Sequence, residues 1–275
     1  MKSKLLIMLI VLATSAVAVE RFSLNTTMAG SSPVASQEKE FRWNGRVAAG
    51  RTIEIRGING NIHAEPSSGS EVEVVANKQG RRSNPDEVQV KVVEHEGGVT
   101  ICAVYPSSDK SQPNDCRPGK DWSSHVSNND VQVDFTVRVP QGVRLSAKTV
   151  NGGIETGLIG SDVEAFTVNG SIRVAATGYA EAKTVNGSIN ASFGSANWNG
   201  ELDFKTVNGE IVLDLPPDTS TDVHAETLNG DISTDFPMTV QGRISRRRLN
   251  GTIGSGGRSI ELKTINGSIS LCRAS

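Results

Sequence analysis

Thr167-Val168-Asn169-Gly170-Ser171-Ile172 recurs as Thr184-Val185-Asn186-Gly187-Ser188-Ile189 and again as Thr206-Val207-Asn208-Gly209-Glu210-Ile211. The central Asn-Gly pair also stands at Asn59-Gly60, Asn151-Gly152, Asn229-Gly230, Asn250-Gly251 and Asn266-Gly267. From Asn151 onward the spacings are 18, 17, 22, 21, 21 and 16 residues, a period that marks a repeat architecture. An isoleucine follows every one of these asparagines at the third position, from Ile62 through Ile154, Ile172, Ile189, Ile211, Ile232 and Ile253 to Ile269. Six positions before the asparagine stand Ile53, Leu145, Val163, Ala180, Leu202, Val223, Ile244 and Ile260. Four positions before stand Ile55, Ala147, Ala165, Ala182, Phe204, Ala225 and Leu262. Threonine recurs two positions before it, at Thr149, Thr167, Thr184, Thr206, Thr227 and Thr264, where its β-branch suits an extended backbone. Each unit reads as strand, Asn-Gly turn, strand and variable return.

Two folds produce such a unit. Asn-Gly suits a type I′ hairpin turn, because both residues tolerate positive φ, and a meander or sandwich of hairpins would follow. In a β-solenoid each unit is one coil, with equivalent isoleucines stacked in a continuous core and equivalent asparagines stacked at a corner. Hairpins do not require the same apolar residue at the same offset in every copy, whereas a stack does, because each coil buries its face only against its neighbours. The expected fold is therefore all-β, a single-stranded β-solenoid (β-helix) with repeats of about 16–22 residues. Positive φ is the expected reason that Gly209 and its equivalents are glycine.

Working outward, residues 140–275 read as the regular repeat region. Residues 41–139 read as a less regular part of the same solenoid, with strand alternation in Val131–Val139 and a loop insertion over 105–129. Residues 19–40, rich in Ser, Thr, Ala and Gly, read as a flexible leader with order beginning near Phe41. Residues 1–18 read as a signal peptide: Lys2 and Lys4, an apolar run from Leu5 to Leu12, then Ala16-Val17-Ala18 as a cleavage signal. Export to the periplasm, the cell envelope or the exterior follows, and an exported chain can keep a disulfide. Cys102 and Cys116 bracket the polar insertion and are expected to bond, leaving Cys272 unpaired.

Composition bounds the function. With 28 Lys+Arg against 30 Asp+Glu the formal charge is −2, which supplies no field for nucleic acid. Aromatic residues make up 4% of the chain, too few for a wall of stacking platforms. Beyond the start, no run is apolar enough to span a membrane. GxSxG, HExxH and phosphate-loop motifs are absent, and the three scattered cysteines make neither a zinc site nor a redox pair. His63, His95, His125 and His224 are far apart in the sequence. The many carboxylates, Asp203 and Asp214 among them, are scattered in a way that suits edge protection and solubility more than paired acid–base work. No cofactor or metal is expected. The Asn250 copy departs from the pattern, with Arg246 and Arg248 of the run Arg246-Arg247-Arg248 at positions expected to be small or apolar. With Arg243 these form a candidate patch for an anion or a partner.

The serial Thr-Val-Asn-Gly-x-Ile units, preceded by Val137-Arg138-Val139-Pro140-Gln141-Gly142, resemble the bacterial DUF4097 family, whose members carry the label of adhesins. The resemblance runs from about Phe41 to Leu271. It implies an exported or cell-envelope β-solenoid and brings no catalytic residues with it. Some relatives are linked to envelope-stress sensing. The expected function is a non-enzymatic binding or adhesin-like scaffold, its partner an envelope protein or glycan. A structural or stress-accessory role and a polysaccharide-active enzyme are the alternatives.

Overall fold

A computed structural model describes residues 37–109, 111–119, 124–240 and 245–274. The signal peptide, most of the leader, Arg243 and Ile244 lie outside the described residues. The described chain is all-β apart from one short 3-10 turn at Pro85–Glu87, and its strands form two sheets. The first sheet runs, edge to edge, β1 (Gln37–Gly45), β4 (Val72–Gly80), β7 (Gln132–Pro140), β3 (Ile62–Ser67), β9 (Ile154–Ile159), β11 (Ile172–Ala176), β13 (Ile189–Phe193), β15 (Ile211–Leu215), β21 (Ile269–Arg273) and β17 (Ile232–Thr234). The second runs β5 (Gln89–His95), β6 (Gly98–Val104), β2 (Thr52–Arg56), β8 (Arg144–Lys148), β10 (Val163–Phe166), β12 (Ala180–Lys183), β14 (Leu202–Lys205), β20 (Ser259–Asn266), β16 (Thr221–Asn229), β19 (Arg248–Ile253) and β18 (Met238–Val240). β1 takes in the last four residues of the stretch read as leader.

Each repeat lays one strand in each sheet, and the Asn-Gly pair is the corner between them. It does not close a hairpin, so the hairpin reading of these repeats fails. Successive strands pair in parallel and in register, placing Ile172 beside Ile189, Ile189 beside Ile211 and Ile211 beside Ile269. The inward offsets read from the sequence are the core: Ile53, Leu145, Val163, Ala180, Leu202, Val223 and Ile260 are buried, as are Ile62, Ile154, Ile172, Ile189, Ile211 and Ile269. Each fully buried Ile or Leu contributes roughly 1.5–3 kcal/mol. The alanines face one another across strands, Ala147 beside Ala165 and Ala165 beside Ala182. Ile232 is only half-buried, because β17 forms the edge of its sheet.

The repeats do not stack in sequence order. Residues 259–273 lie between the repeat of β14–β15 and that of β16–β17. The same exchange occurs at the other end. β6 and β7 flank β2 and β3 from outside, and β8 and β9 continue on the inner side. β6 and β7 thus complete one further repeat, in which the excursion between Val104 and Gln132 replaces the Asn-Gly corner. Antiparallel strands cover the outer repeats: β4 and β1 on β7, β5 on β6, and β19 with β18 on β16. The edge strands of the two open sheets are then β1 and β17, and β5 and β18.

The excursion is tied down twice. Cys102 and Cys116 are bonded as expected. Arg56, fully buried, donates to the carbonyl oxygens of Arg117 (2.8 Å) and Gly119 and to the Glu54 carboxylate (2.8 Å). Lys148 also reaches Glu54, at 2.8 Å. Cys272 is unpaired and half-buried, and burial with the nearby Asp214 and Asp235 carboxylates pushes its thiol pKa up, away from the reactive thiolate.

Candidate functional site

Parallel, in-register pairing turns each repeat position into a column, so the outward side chains form lines along the stack. At the Asn-Gly corner the side-chain amides make a ladder. Asn151 donates to Asn59 (2.9 Å), Asn169 to Asn151 (2.8 Å), Asn186 to Asn169 (2.8 Å) and Asn208 to Asn186 (2.8 Å). Asn266 then donates to Asn208 (2.7 Å) and Asn229 to Asn266 (2.8 Å), in the exchanged order. Asn250 is not a rung, although the sequence groups it with the others. It lies in β19, an antiparallel strand, and its side-chain oxygen is 3.2 Å from His224 Nδ1.

Two further columns support this ladder. The repeat threonines are buried, and their hydroxyls donate to glycine carbonyls of the adjoining repeat: Thr167 to Gly152, Thr184 to Gly170, Thr206 to Gly187 and Thr264 to Gly209, each at 2.9 Å. Sequence reasoning assigned these threonines only an extended-backbone preference. The available signal was that no Val or Ile ever replaces them. The expected positive φ is found at Gly60, Gly187 and Gly267, but the other corner glycines have another cause. Gly209 is not among the positive-φ residues, but a Cβ there would run into the Gly187 carbonyl oxygen. Gly152, Gly170 and Gly230 meet the same obstacle from Gly60, Gly152 and Gly267.

Beside the corner, the outer face of the second sheet carries three parallel columns. One is largely acidic: Glu164, Glu181, Asp203 and Glu261 follow one another in register. Two residues along lies a basic column, Lys148, Phe166, Lys183, Lys205 and Lys263. Lys183 pairs with Asp203 at 2.8 Å, and Lys205 bridges Asp203 (2.9 Å) and Glu261 (3.1 Å). Burial pushes the lysine pKa values down, but the facing carboxylates outweigh it and hold Lys183 and Lys205 above the ordinary lysine value. Hydrogen bonds from Lys263 and Lys205 hold Glu261 below the usual carboxylate range. These are lattice-like ion pairs that run along the stack.

The third column is aliphatic and immediately precedes the asparagines: Ile58, Val150, Val168, Val185, Val207, Ile265 and Leu228 in spatial order. Ile58 is buried and Val150 and Val207 are half-buried, whereas Val168 and Val185 are 39% exposed, Ile265 44% and Leu228, at the end, 59%. There Val207, Ile265, Leu228 and the lysines Lys205 and Lys263 line a groove of about 380 Å³. The arginine run meets this end. Arg246 and Arg247 are exposed, their carbonyls accepting from the Ile232 and Thr227 amides, and Arg248 pairs with Glu226. The structure thus joins two features that the sequence left apart, an arginine run and an aliphatic column. A second groove, of about 300 Å³, is lined by Asn61, His63, Glu155, Arg173 and Asn190. Its charges are already engaged, His63 with Glu65 and Arg173 with Glu155.

Among the described residues, no cluster of three or more His, Cys, Asp or Glu could hold a metal ion, and no helix is long and apolar enough to cross a membrane. Residues 160–272 match the family model described as Toastrack DUF4097, the family that the repeats resemble. No curated protein matches the chain. Among solved structures, a putative cell adhesion protein from Clostridium sporogenes aligns at 14% identity and TM-score 0.48, covering 86% of this chain and 100% of its own. A putative adhesin from Bacteroides fragilis aligns at 10% identity and TM-score 0.32, covering 86% and 97%. A putative lipid binding protein from Parabacteroides distasonis aligns at 11% identity and TM-score 0.26, covering 87% and 97%.

Proposed function

We propose that this chain, DUF4097 in its residues 160–272, is a non-enzymatic scaffold of the cell envelope that holds a partner against the aliphatic column and its basic end. The observation that carries this reading is the column itself. A sheet face otherwise neutralised by aligned ion pairs leaves Val168, Val185, Ile265 and Leu228 of this column exposed to water, Leu228 most of all and beside Arg246 and Arg247. Exposed apolar rows with a polar rim are features of docking surfaces. The two facing sheets serve as the walls of a β-solenoid, a shape that presents long columns of equivalent side chains. The N-terminal signal and the Cys102–Cys116 bond support an exported location. The partner is an envelope protein or glycan with an apolar strip and anionic groups.

The test is quantitative capture of envelope components by the exported chain and two variants. One replaces Leu228 and Ile265 by Ser, and the other replaces Arg246, Arg247 and Arg248 by Ala. Saturable capture weakened about tenfold or more in the Leu228/Ile265 variant supports the reading, since burying two aliphatic side chains is worth a few kcal/mol. Capture unchanged in both variants places the partner elsewhere. Absence of saturable capture by the parent chain overturns the binding role in favour of a purely structural one.

A further inference from the structure

The copies of Asn-Gly are alike in sequence but not in chemical protection. Asn-Gly can rearrange without an enzyme. The backbone nitrogen of the glycine attacks the asparagine side-chain carbonyl carbon, a C–N bond forms, and the amide nitrogen leaves as ammonia. Water then opens the resulting five-membered imide to an aspartyl or isoaspartyl residue. The reaction needs a glycine N–H free to be deprotonated and an asparagine side chain free to turn towards it.

The ladder withholds both along the stack. Gly60, Gly152, Gly170, Gly187, Gly209 and Gly267 each donate their N–H to an asparagine carbonyl of the adjoining repeat, at 2.9 Å in every case. The interior asparagines are held through both side-chain atoms, the nitrogen donating to one neighbour and the oxygen accepting from the other. Asn229 ends the ladder. Its side chain donates to Asn266, but among the described residues no donor reaches its oxygen and Gly230 N–H has no partner. Exposure does not make the difference, because Asn169, Asn186, Asn208, Asn266 and Asn229 are all exposed. Gly251, in the copy off the ladder, lies within β19 and is paired on both sides by β16 and β18.

We propose that Asn229-Gly230 is a site of spontaneous modification, the one ladder position where imide formation proceeds in the folded chain. The consequence is local. A carboxylate at position 229 cannot donate to Asn266, so the last rung is lost. The isoaspartyl form also adds a carbon to the backbone just before β17. New negative charge arrives where Arg246 and Arg247 cross the end of the stack.

The folded, disulfide-bonded chain is incubated at mildly alkaline pH, and each Asn-Gly peptide is followed by mass spectrometry with separation of isoaspartyl forms. Conversion at Asn229 should run about tenfold or more ahead of Asn186 and Asn208 in the same molecules, because those copies must first open their ladder bonds. In urea the rates should converge, since the dipeptide is the same. Equal rates in the folded chain overturn the proposal. So does a lead for Asn229 that persists after unfolding, or a position 229 that stays intact while the unfolded chain converts.

Discussion

At Gly209 one missing carbon atom sets how closely two repeats approach. The Gly187 carbonyl occupies the space where a Cβ would stand, so the requirement is for room. Gly209→Ala should therefore cost about 1–3 kcal/mol, as overpacking does, even though its φ is not positive. Urea unfolding measures this, and a change under about 0.5 kcal/mol would show that the corner yields freely. Thr206 gives the complementary case. Thr206→Val keeps the β-branch and removes the hydroxyl that satisfies Gly187, so a loss of about 1–3 kcal/mol is expected. A stability equal to the parent's would return these threonines to a role in backbone preference alone. The apolar offsets were legible because burial selects side-chain type at a fixed spacing. The reasons for Gly and Thr were not, since a clash and a hydrogen bond with an adjoining repeat leave the same letters as local turn and strand preferences.

Among the elements, β2 carries the most conspicuous charge. Glu54 lies under the excursion with Arg56 and Lys148 against it. Burial alone would push its pKa up, but the hydrogen bonds and charges of Lys148 and Arg56 outweigh burial and hold it below the ordinary value. Asp130, at the far end of the excursion, is held down to about 2 by the backbone N–H groups of Ser83 and Arg82. A carboxylate whose folded pKa is depressed adds stability above its unfolded pKa and loses it as pH falls through the folded value. Hydrogen exchange near the excursion should thus be slow at neutral pH and accelerate, relative to its intrinsic rate, as pH falls from about 4 towards about 2. Protection unaltered across that window would remove both carboxylates from the clamp. The sequence located the excursion and its disulfide from polarity and cysteine spacing. It did not show Arg56 as buried, because a charged residue at that position matches the lysines of later repeats, which are half-buried or exposed.

The order of repeats belongs to the whole molecule, and no single repeat encodes it. Apart from the Asn250 copy, every repeat offers much the same apolar offsets and the same amide rung, so nothing local says that Asn266 must stand beside Asn208. The one visible hint was the Asn250 copy, whose arginines break the pattern where the chain turns into antiparallel β19 and β18. The exchange makes a sharp prediction for a chain cut after Gly257. In a stack ordered by sequence, loss of the last repeat would fray one end. Here it removes β20 and β21 from between two others, so β16 loses its parallel partner. Hydrogen exchange should then find residues 221–229 unprotected together with 248–253, while 163–193 keep their protection. Persisting protection in β16 would mean that it can dock directly on β14.

The same exchange imposes a timetable. A chain made from its N-terminus delivers residues 221–234 before 259–273, yet the later segment stands between the earlier one and β14 and β15. Until that segment is in place the earlier one has only the antiparallel β19 and β18 beside it, and the parallel contacts that finally hold it span several tens of residues. Closing so long a loop costs entropy before any pairing returns it, which slows the step. Completion of this end is thus a late, concerted event. A growing chain can add β8 to β15 one repeat after another, but β16 to β21 must settle together.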